Sequence, residues 1–237
     1  MQYNQTMTLS IVIPCFNDRH FIDTCFKAIL KQSVLPDEVI FVDNNSTDGS
    51  YLYVRRYSKK LNLILVKEKD QGIEYARKTG YSLASSDLIG TIDVDSIIVP
   101  NWVETAKKEF DKNKNLACLA GRCYFRDKSF LTNIFVFINF ISYGTFRRMF
   151  QYWGCNAVFS RRIYTELGGL GGLVSMRKKL NMRYAGDDIY MSELFIKSKY
   201  YLKISIGLFA KTIADTDLRR YIDSIITLLK IKFAFNA

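Results

Sequence analysis

The sequence contains one histidine, three prolines and five cysteines in 237 residues, and each scarcity excludes some chemistry. A lone His20 removes most zinc sites and any Ser/His/Asp scheme that needs a histidine elsewhere. Cys15, Cys25, Cys118, Cys123 and Cys155 are odd in number and contain no Cys-x-x-Cys pair, so they read as reduced thiols serving as small apolar residues. Few prolines and 13 glycines argue against low complexity, and no internal repeat is visible. No GxxxxGK[ST] loop is present. The cluster GGLGG at 168–172 fails GxGxxG because position 174 is Val, and it reads as a turn needing positive φ. Long apolar runs are missing as well. Segments 130–150 and 221–237 fall short of the ~20 residues of a membrane span, and Asn133, Asn139, Asp223, Lys230 and Lys232 interrupt them. The start MQYNQTMTLS has no basic stretch followed by an apolar one, which predicts no secretory signal and a cytoplasmic location.

Positive charge and apolar residues are plentiful. A net charge of +11 favours anionic partners, and 49% apolar content is ample for a core. The basic residues are dispersed and not clustered with aromatics on one face, so nucleic acid is not an expected partner.

Residues 9–95 alternate between two periodicities. LSIVIP (9–14), EVIFVD (38–43), LNLILVK (61–67) and DLIGTIDVD (87–95) are apolar runs that read as buried parallel strands. Residues 18–32, the stretch from Ser46 and GIEYARKTGYSLA (72–84) read as the intervening helices. ACLAGRCYF (117–125) and CNAVFS (155–160) read as strands, and GDDIYMSELFIKSKYY (186–201) as a helix. This pattern predicts an open, mostly parallel α/β sheet, whose ligands bind beyond the carboxyl ends of the strands. Those ends carry PCFND, DNNSTDG, KEKDQG and DVDS, the composition of a site. Asp93 and Asp95 end an apolar run, where two carboxylates need a metal, a basic side chain or water as a partner. As strand residues i and i+2 they would share a face. Mn²⁺ or Mg²⁺ suits such oxygen donors.

The segments LSIVIPCFND, DEVIFVDNNSTDGS, GIEYARKTGYSLASSDLIGTIDVDS, ELGGL and GDD, in this order, resemble the GT-A-fold inverting glycosyltransferases of family 2 from about residue 8 to about residue 200. The resemblance implies a Rossmann-like, mostly parallel sheet flanked by helices, with a smaller acceptor-side subregion. No Pro/Gly/Ser linker separates the halves, which predicts one domain over 1–237, with a nucleotide-sugar half at about 8–98, an acceptor and catalytic half at about 99–205, and an amphipathic tail at about 206–237. Asp43 then recognises the base of a nucleotide, usually uracil, above a floor of Pro14, Phe16, Asn17 and Asp18. Gly72 and Arg77 lie near base and phosphates, Asp93 near the nucleotide, and Asp95, with Asp93, on Mn²⁺ or Mg²⁺. Asp188 is the general base, with Asp187 able to share the role. Without the family match, both acids would read as helix N-terminal residues favoured by the macrodipole, worth about 0.3–1 kcal/mol each.

Trp153 and Gly154, in QYWGCNAVFSRR (151–162), lie where the family forms its acceptor subsite. Arg161 and Arg162 read either as a solvated helix start or as part of that subsite. DLRRYIDS (217–224) distantly resembles the QxxRW segment of processive relatives, but Asp217 and Tyr221 replace Gln and Trp, which favours transfer of a single sugar. The implied donor is a nucleotide-diphosphate sugar, most often a UDP-sugar, and the acceptor a saccharide or lipid-linked hydroxyl. Amphipathic stripes in 130–150 and in the tail suit peripheral contact with an anionic inner leaflet, or packing on the domain itself. The alternative function is a module of the same fold that holds a nucleotide sugar without turnover.

Overall fold

Short connections between apolar runs give a parallel sheet in the first half of the chain. The computed structural model describes residues 7–125, 133–134, 152, 154–180, 182, 186–212, 227, 230–231 and 233–235. Its strands are β1 (Leu9–Cys15), β2 (Glu38–Asp43), β3 (Leu63–Lys67), β4 (Leu88–Ile92), β5 (Ser96–Ile98), β6 (Leu116–Phe125), β7 (Asn156–Ser160) and β8 (Tyr201–Thr212). Its helices are α1 (Arg19–Leu30), α2 (Ser50–Val54), α3 (Ile73–Leu83), α4 (Trp102–Lys112), α5 (Arg161–Glu166), α6 (Gly171–Leu180) and α7 (Asp187–Lys197). The strands form one sheet in the order β3-β2-β1-β4-β7-β6-β8-β5. β3, β2, β1 and β4 are mutually parallel, β6 is parallel to β8, and the pairings β4–β7, β6–β7 and β5–β8 are antiparallel. This is the α/β fold expected from the sequence.

Burial on both faces explains the unbroken apolar runs, because alternate residues point to opposite sides. Ile11 and Ile13 of β1 join Phe26 of α1 and Trp102 and Phe110 of α4 on one face. Val12 joins Ala76 and Tyr81 of α3 and Phe195 of α7 on the other. Helix α3 sits unusually close to the sheet. A Cβ at Gly80 would lie 2.3 Å from Val12 Cγ1, so only glycine allows the approach. Pro14 is tolerated in the interior strand β1 because the β4 pairing stops at Val12, leaving β1 one neighbour there.

Several boundaries differ from the sequence reading. β4 ends at Ile92, and Asp93–Asp95 form a turn closed by the Ser96 N–H donating to the Asp93 carbonyl at 3.0 Å. The two aspartates therefore lie in a turn and not on the pleated strand whose i, i+2 geometry was expected to give them a common face. Helix α2 is five residues long and passes into a 3₁₀ turn at Arg55–Tyr57. β5, β8 and α4 have no counterpart in the sequence reading. All five cysteines are free and buried. Gly168 and Gly169, with φ of +81° and +51°, form the turn expected for the glycine cluster, whereas Gly171 and Gly172 open α6. Trp153, most of 130–150 and segment 217–224 lie outside the described residues. Part of the tail packs on the domain: Ile231 is fully buried, and the Lys230 ammonium donates to the Leu180 carbonyl at 2.8 Å, while Phe233 is exposed. No helix among the described residues is long and apolar enough to cross a membrane.

Candidate active site

Parallel pairing brings the carboxyl ends of β1, β2 and β4 to one rim, with Cys15 beside Asp43 in register. β7 runs antiparallel to β4 and pairs Asn156 with Ile92, so its amino end, with Gly154 and Cys155, reaches the same rim.

The loops at this rim are fastened by asparagines in unusual backbone conformations. Asn17 and Asn45 have φ of +56° and +69°, a left-handed region that asparagine tolerates. The Thr47 N–H donates to Asn17 Oδ1 at 2.8 Å, and the Asn17 N–H donates to Ser46 Oγ at 3.0 Å. The Asn17 side chain thus joins the loops after β1 and β2. Asn44 is 3% exposed and holds the loop after β3. Its amide nitrogen donates to the carbonyls of Asp70 at 2.7 Å and Glu68 at 3.2 Å, while its Oδ1 accepts from the Gly72 N–H at 2.8 Å. Gly72, with φ of +146°, adopts a conformation open to glycine and starts α3. The sequence reading had no role for Asn44. Its place beside Asp43 at a strand end was the available signal.

Asp43 is 2% exposed, and its Oδ1 has no hydrogen-bond partner among the described residues. A buried acceptor of this kind carries a desolvation penalty of about 1–3 kcal/mol until a donor arrives. Phe16 is 48% exposed, so its ring is open to a ligand. Burial pushes the Asp18 carboxyl up, as do the charges of Asp48 and Asp93 against the opposing His20.

Arg77 links the two halves of the site. It is 5% exposed, and its guanidinium bridges Asp93 Oδ1 through Nη2 and Asp187 Oδ2 through Nη1, both at 2.6 Å. Burial alone would weaken its hold on the proton, but Asp187 and Asp93 more than offset that, so the pKa is raised and the group stays charged. Arg77 thus meets two carboxylates at the rim. Gly154 lies against it: a Cβ there would fall 2.3 Å from Arg77 Nη1. Gly154 is itself anchored, its carbonyl accepting from Thr91 Oγ1 at 2.9 Å.

Helix α7 opens with Asp187 and Asp188. Asp187 is 3% exposed and held by Arg77, whereas Asp188 is half-buried and accepts from the Ile189 N–H at 2.8 Å. Burial first, then the Asp187 charge, push the Asp188 carboxyl up to about 7 against the pull of Arg77. Gly186, in the left-handed region at φ +61°, leads into α7 beneath the tail, where a Cβ would meet Thr227 Cγ2 at 2.5 Å. Arg161 and Arg162 lie at the opposite end of β7. The Arg161 Nε donates to the Ser86 carbonyl at 2.6 Å, and Arg162 is 3.5 Å from Glu166. They belong to the start of α5, away from the acids. No group of three His, Cys, Asp or Glu side chains among the described residues forms a complete metal cage.

A family model described as "Glycosyl transferase family 2" matches residues 10–168, more than half of the chain. The chain belongs to glycosyl transferase family 2. Within this family it is 32% identical over 117 residues to the hyaluronan synthase of Pasteurella multocida, covering 49% of this chain and 12% of that one. It is 30% identical over 123 residues to the glycosyltransferase GlyG of Streptococcus pneumoniae, covering 51% and 40%. The matched segments thus span less than half the length of either relative. Among solved structures, the mannosyltransferase PcManGT of Pyrobaculum calidifontis, in complex with GDP-Man and Mn²⁺, superposes with a TM-score of 0.72 at 18% identity, covering 99% of this chain and 66% of that one. Residues 1–349 of S. aureus TarS, in complex with UDP, give 0.69 at 14% identity, covering 94% and 65%. These likenesses show that the family member described here has the GT-A fold.

Proposed function

We propose that this chain transfers one sugar from a nucleotide-diphosphate sugar to a hydroxyl of a saccharide or lipid-linked acceptor, with inversion, and that Asp188 is the general base. The observation that carries the proposal is the contrast between the adjacent acids Asp187 and Asp188. Asp187 is fixed in a buried ion pair, while Asp188 is a half-buried carboxyl pushed up to about 7. A base that removes a proton from a hydroxyl works best with a pKa near the operating pH, and a raised carboxyl comes closer to that than one at its ordinary value. The accepting atom is a carboxylate oxygen of Asp188, which takes the proton as the acceptor oxygen attacks the anomeric carbon opposite the leaving diphosphate.

On the donor side, the unpartnered Oδ1 of Asp43 suits a ring N–H of the nucleotide base, and Phe16 offers it an apolar surface. Pro14, Asn17 and Asp18 belong to the same floor. Uracil is the base we favour. Guanine also has a ring N–H, and the fold is shared with a protein solved with GDP-Man and one solved with UDP. Two carboxylates in one turn fit Mn²⁺ or Mg²⁺, which commonly bind through one or two carboxylates plus phosphates and waters. Asp95 would be the direct ligand, as the resemblance implies, with Asp93 beside it on Arg77. A bound divalent ion would neutralise charge on the departing diphosphate. Gly72 and Arg77 shape this side without needing to touch the ligand, and Trp153 and Gly154 are the acceptor-side candidates.

The test is Asp188→Asn, assayed for transfer from UDP- and GDP-sugars with Mn²⁺. Loss of transfer with nucleotide binding retained is expected. Transfer at the wild-type rate would sink the assignment of the base, and wild-type binding without turnover would favour a nucleotide-sugar-holding module.

A further inference from the structure

Arg77 is buried to 5% exposure, which keeps it from acting as an open cationic clamp. Its two terminal nitrogens each hold a carboxylate at 2.6 Å, while its Nε has no partner among the described residues. The plane of the guanidinium is therefore fixed by three things: Asp93, Asp187 and whatever lies against it. That third contact is Gly154, where any side chain would begin 2.3 Å from Nη1 and 2.5 Å from Cζ. The seat is fastened in turn by the Thr91 hydroxyl on the Gly154 carbonyl at 2.9 Å. One turn further along α3, Gly80 brings the helix against Val12 and Val42, holding the backbone of Arg77 close to the sheet. Helix α3, the turn after β4, the amino end of β7 and the first turn of α7 thus meet at one guanidinium.

We propose that Arg77 is a positioning residue, seated on Gly154, that ties the Asp93 turn to the first turn of α7 so that the donor-side carboxylates and the general base keep a fixed separation. The proposal rests on the transfer reaction above and deepens it, giving the acceptor-side candidate Gly154 the role of seat for the strut. Lysine cannot replace the arginine, because a single ammonium lacks the planar fork that reaches two carboxylates at once. Alanine at position 154 leaves every charge in place and still disturbs the site, by moving the guanidinium. A misplacement of about 1 Å between reacting groups costs on the order of 100-fold in rate.

The experiment is a double-mutant cycle in the full chain with Arg77→Lys, Gly154→Ala and the double variant. Turnover is read as release of UDP or GDP from UDP- and GDP-hexoses with Mn²⁺, nucleotide affinity by calorimetry, and stability by urea unfolding. Each single change is expected to lower turnover about 100-fold while nucleotide affinity changes little, and the double variant to be no slower than Gly154→Ala alone. Gly154→Ala turning over like wild type, or the two losses multiplying, overturns the proposal. If Gly154→Ala does not fold, Thr91→Val, which removes the bond holding the seat, takes its place in the cycle. If wild type releases no nucleotide from any donor, the transfer reading fails separately. The urea cycle then decides the strut, which requires a nonadditive coupling between positions 77 and 154.

Discussion

Asp187 and Asp188 are neighbours in sequence and differ in every physical respect that matters for proton transfer. The first is locked to Arg77, which lies 110 positions earlier in the chain. The second is half-buried and pushed up to about 7. GDD as letters cannot separate them, because the deciding partner comes from another helix. Asp43 was legible as a rim acid, but its unpartnered oxygen was not. At this scale we predict that Asp188→Asn lowers transfer by about 10²–10⁴-fold, the range of general-base contributions, in a nucleotide-release assay. In wild type the rate should climb as pH rises through about 7, because the working form is the carboxylate. A flat profile between pH 5 and 9, roughly spanning the titration, would contradict that. Stability should run the other way. The folded value of about 7 lies above the ordinary 3.8, so stability is fully present below the lower value and is lost as pH rises through the upper one. Asp188→Asn should abolish that loss and melt higher than wild type on the alkaline side.

At the scale of elements, the strands and helices of the first hundred residues were readable because each apolar run is short, continuous and ended by polar residues. β1 and β2 fall where LSIVIP and EVIFVD place them. The turn at Asp93–Asp95 reads as strand in the sequence because the apolar pattern continues through Val94, which is itself buried. β5 is only three residues long and pairs with β8, more than a hundred positions away, so no local signal marks it. β8 mixes lysines with apolar residues and has a shifted register opposite Gly121 and Arg122, which hides its alternation. The close contact of α3 with the sheet makes a test of this scale. Gly80→Ala should destabilise the chain by about 1–3 kcal/mol, seen as a lower urea midpoint, because its Cβ would sit 2.3 Å from a Val12 methyl. Asn44→Ala should weaken nucleotide binding more than it lowers the urea midpoint, since it frees the loop at 68–72 while leaving the core intact. Equal losses in both would argue against a role for that loop in the site.

For the whole molecule, a charge of +11 and an acid-rich rim divide the labour. On the proposed reading, the acids would face a metal-bound diphosphate, and the dispersed lysines and arginines would meet an anionic leaflet that presents a lipid-linked acceptor. Lys230, Ile231 and Phe235 of the tail pack on α6 and α7, whereas Phe233 is 76% exposed. Peripheral binding predicts co-sedimentation with anionic vesicles that is lost at high salt, and no sedimentation with neutral ones. Family membership was legible from five short segments in order, whereas the donor sugar and acceptor were not, because they depend on side chains brought together by the fold.

The central claim is that the rim around Asp43, Asp93 and Asp95 binds a nucleotide diphosphate together with a divalent ion. The most direct test is the shift in melting temperature across UDP-, GDP- and other nucleotide-sugars, with and without Mn²⁺, for wild type, Asp43→Ala and Asp95→Asn. We predict stabilisation of wild type by one nucleotide class that needs Mn²⁺, lost in Asp95→Asn and weakened in Asp43→Ala. Stabilisation that is independent of metal for every donor, or unchanged in both variants, would contradict the account.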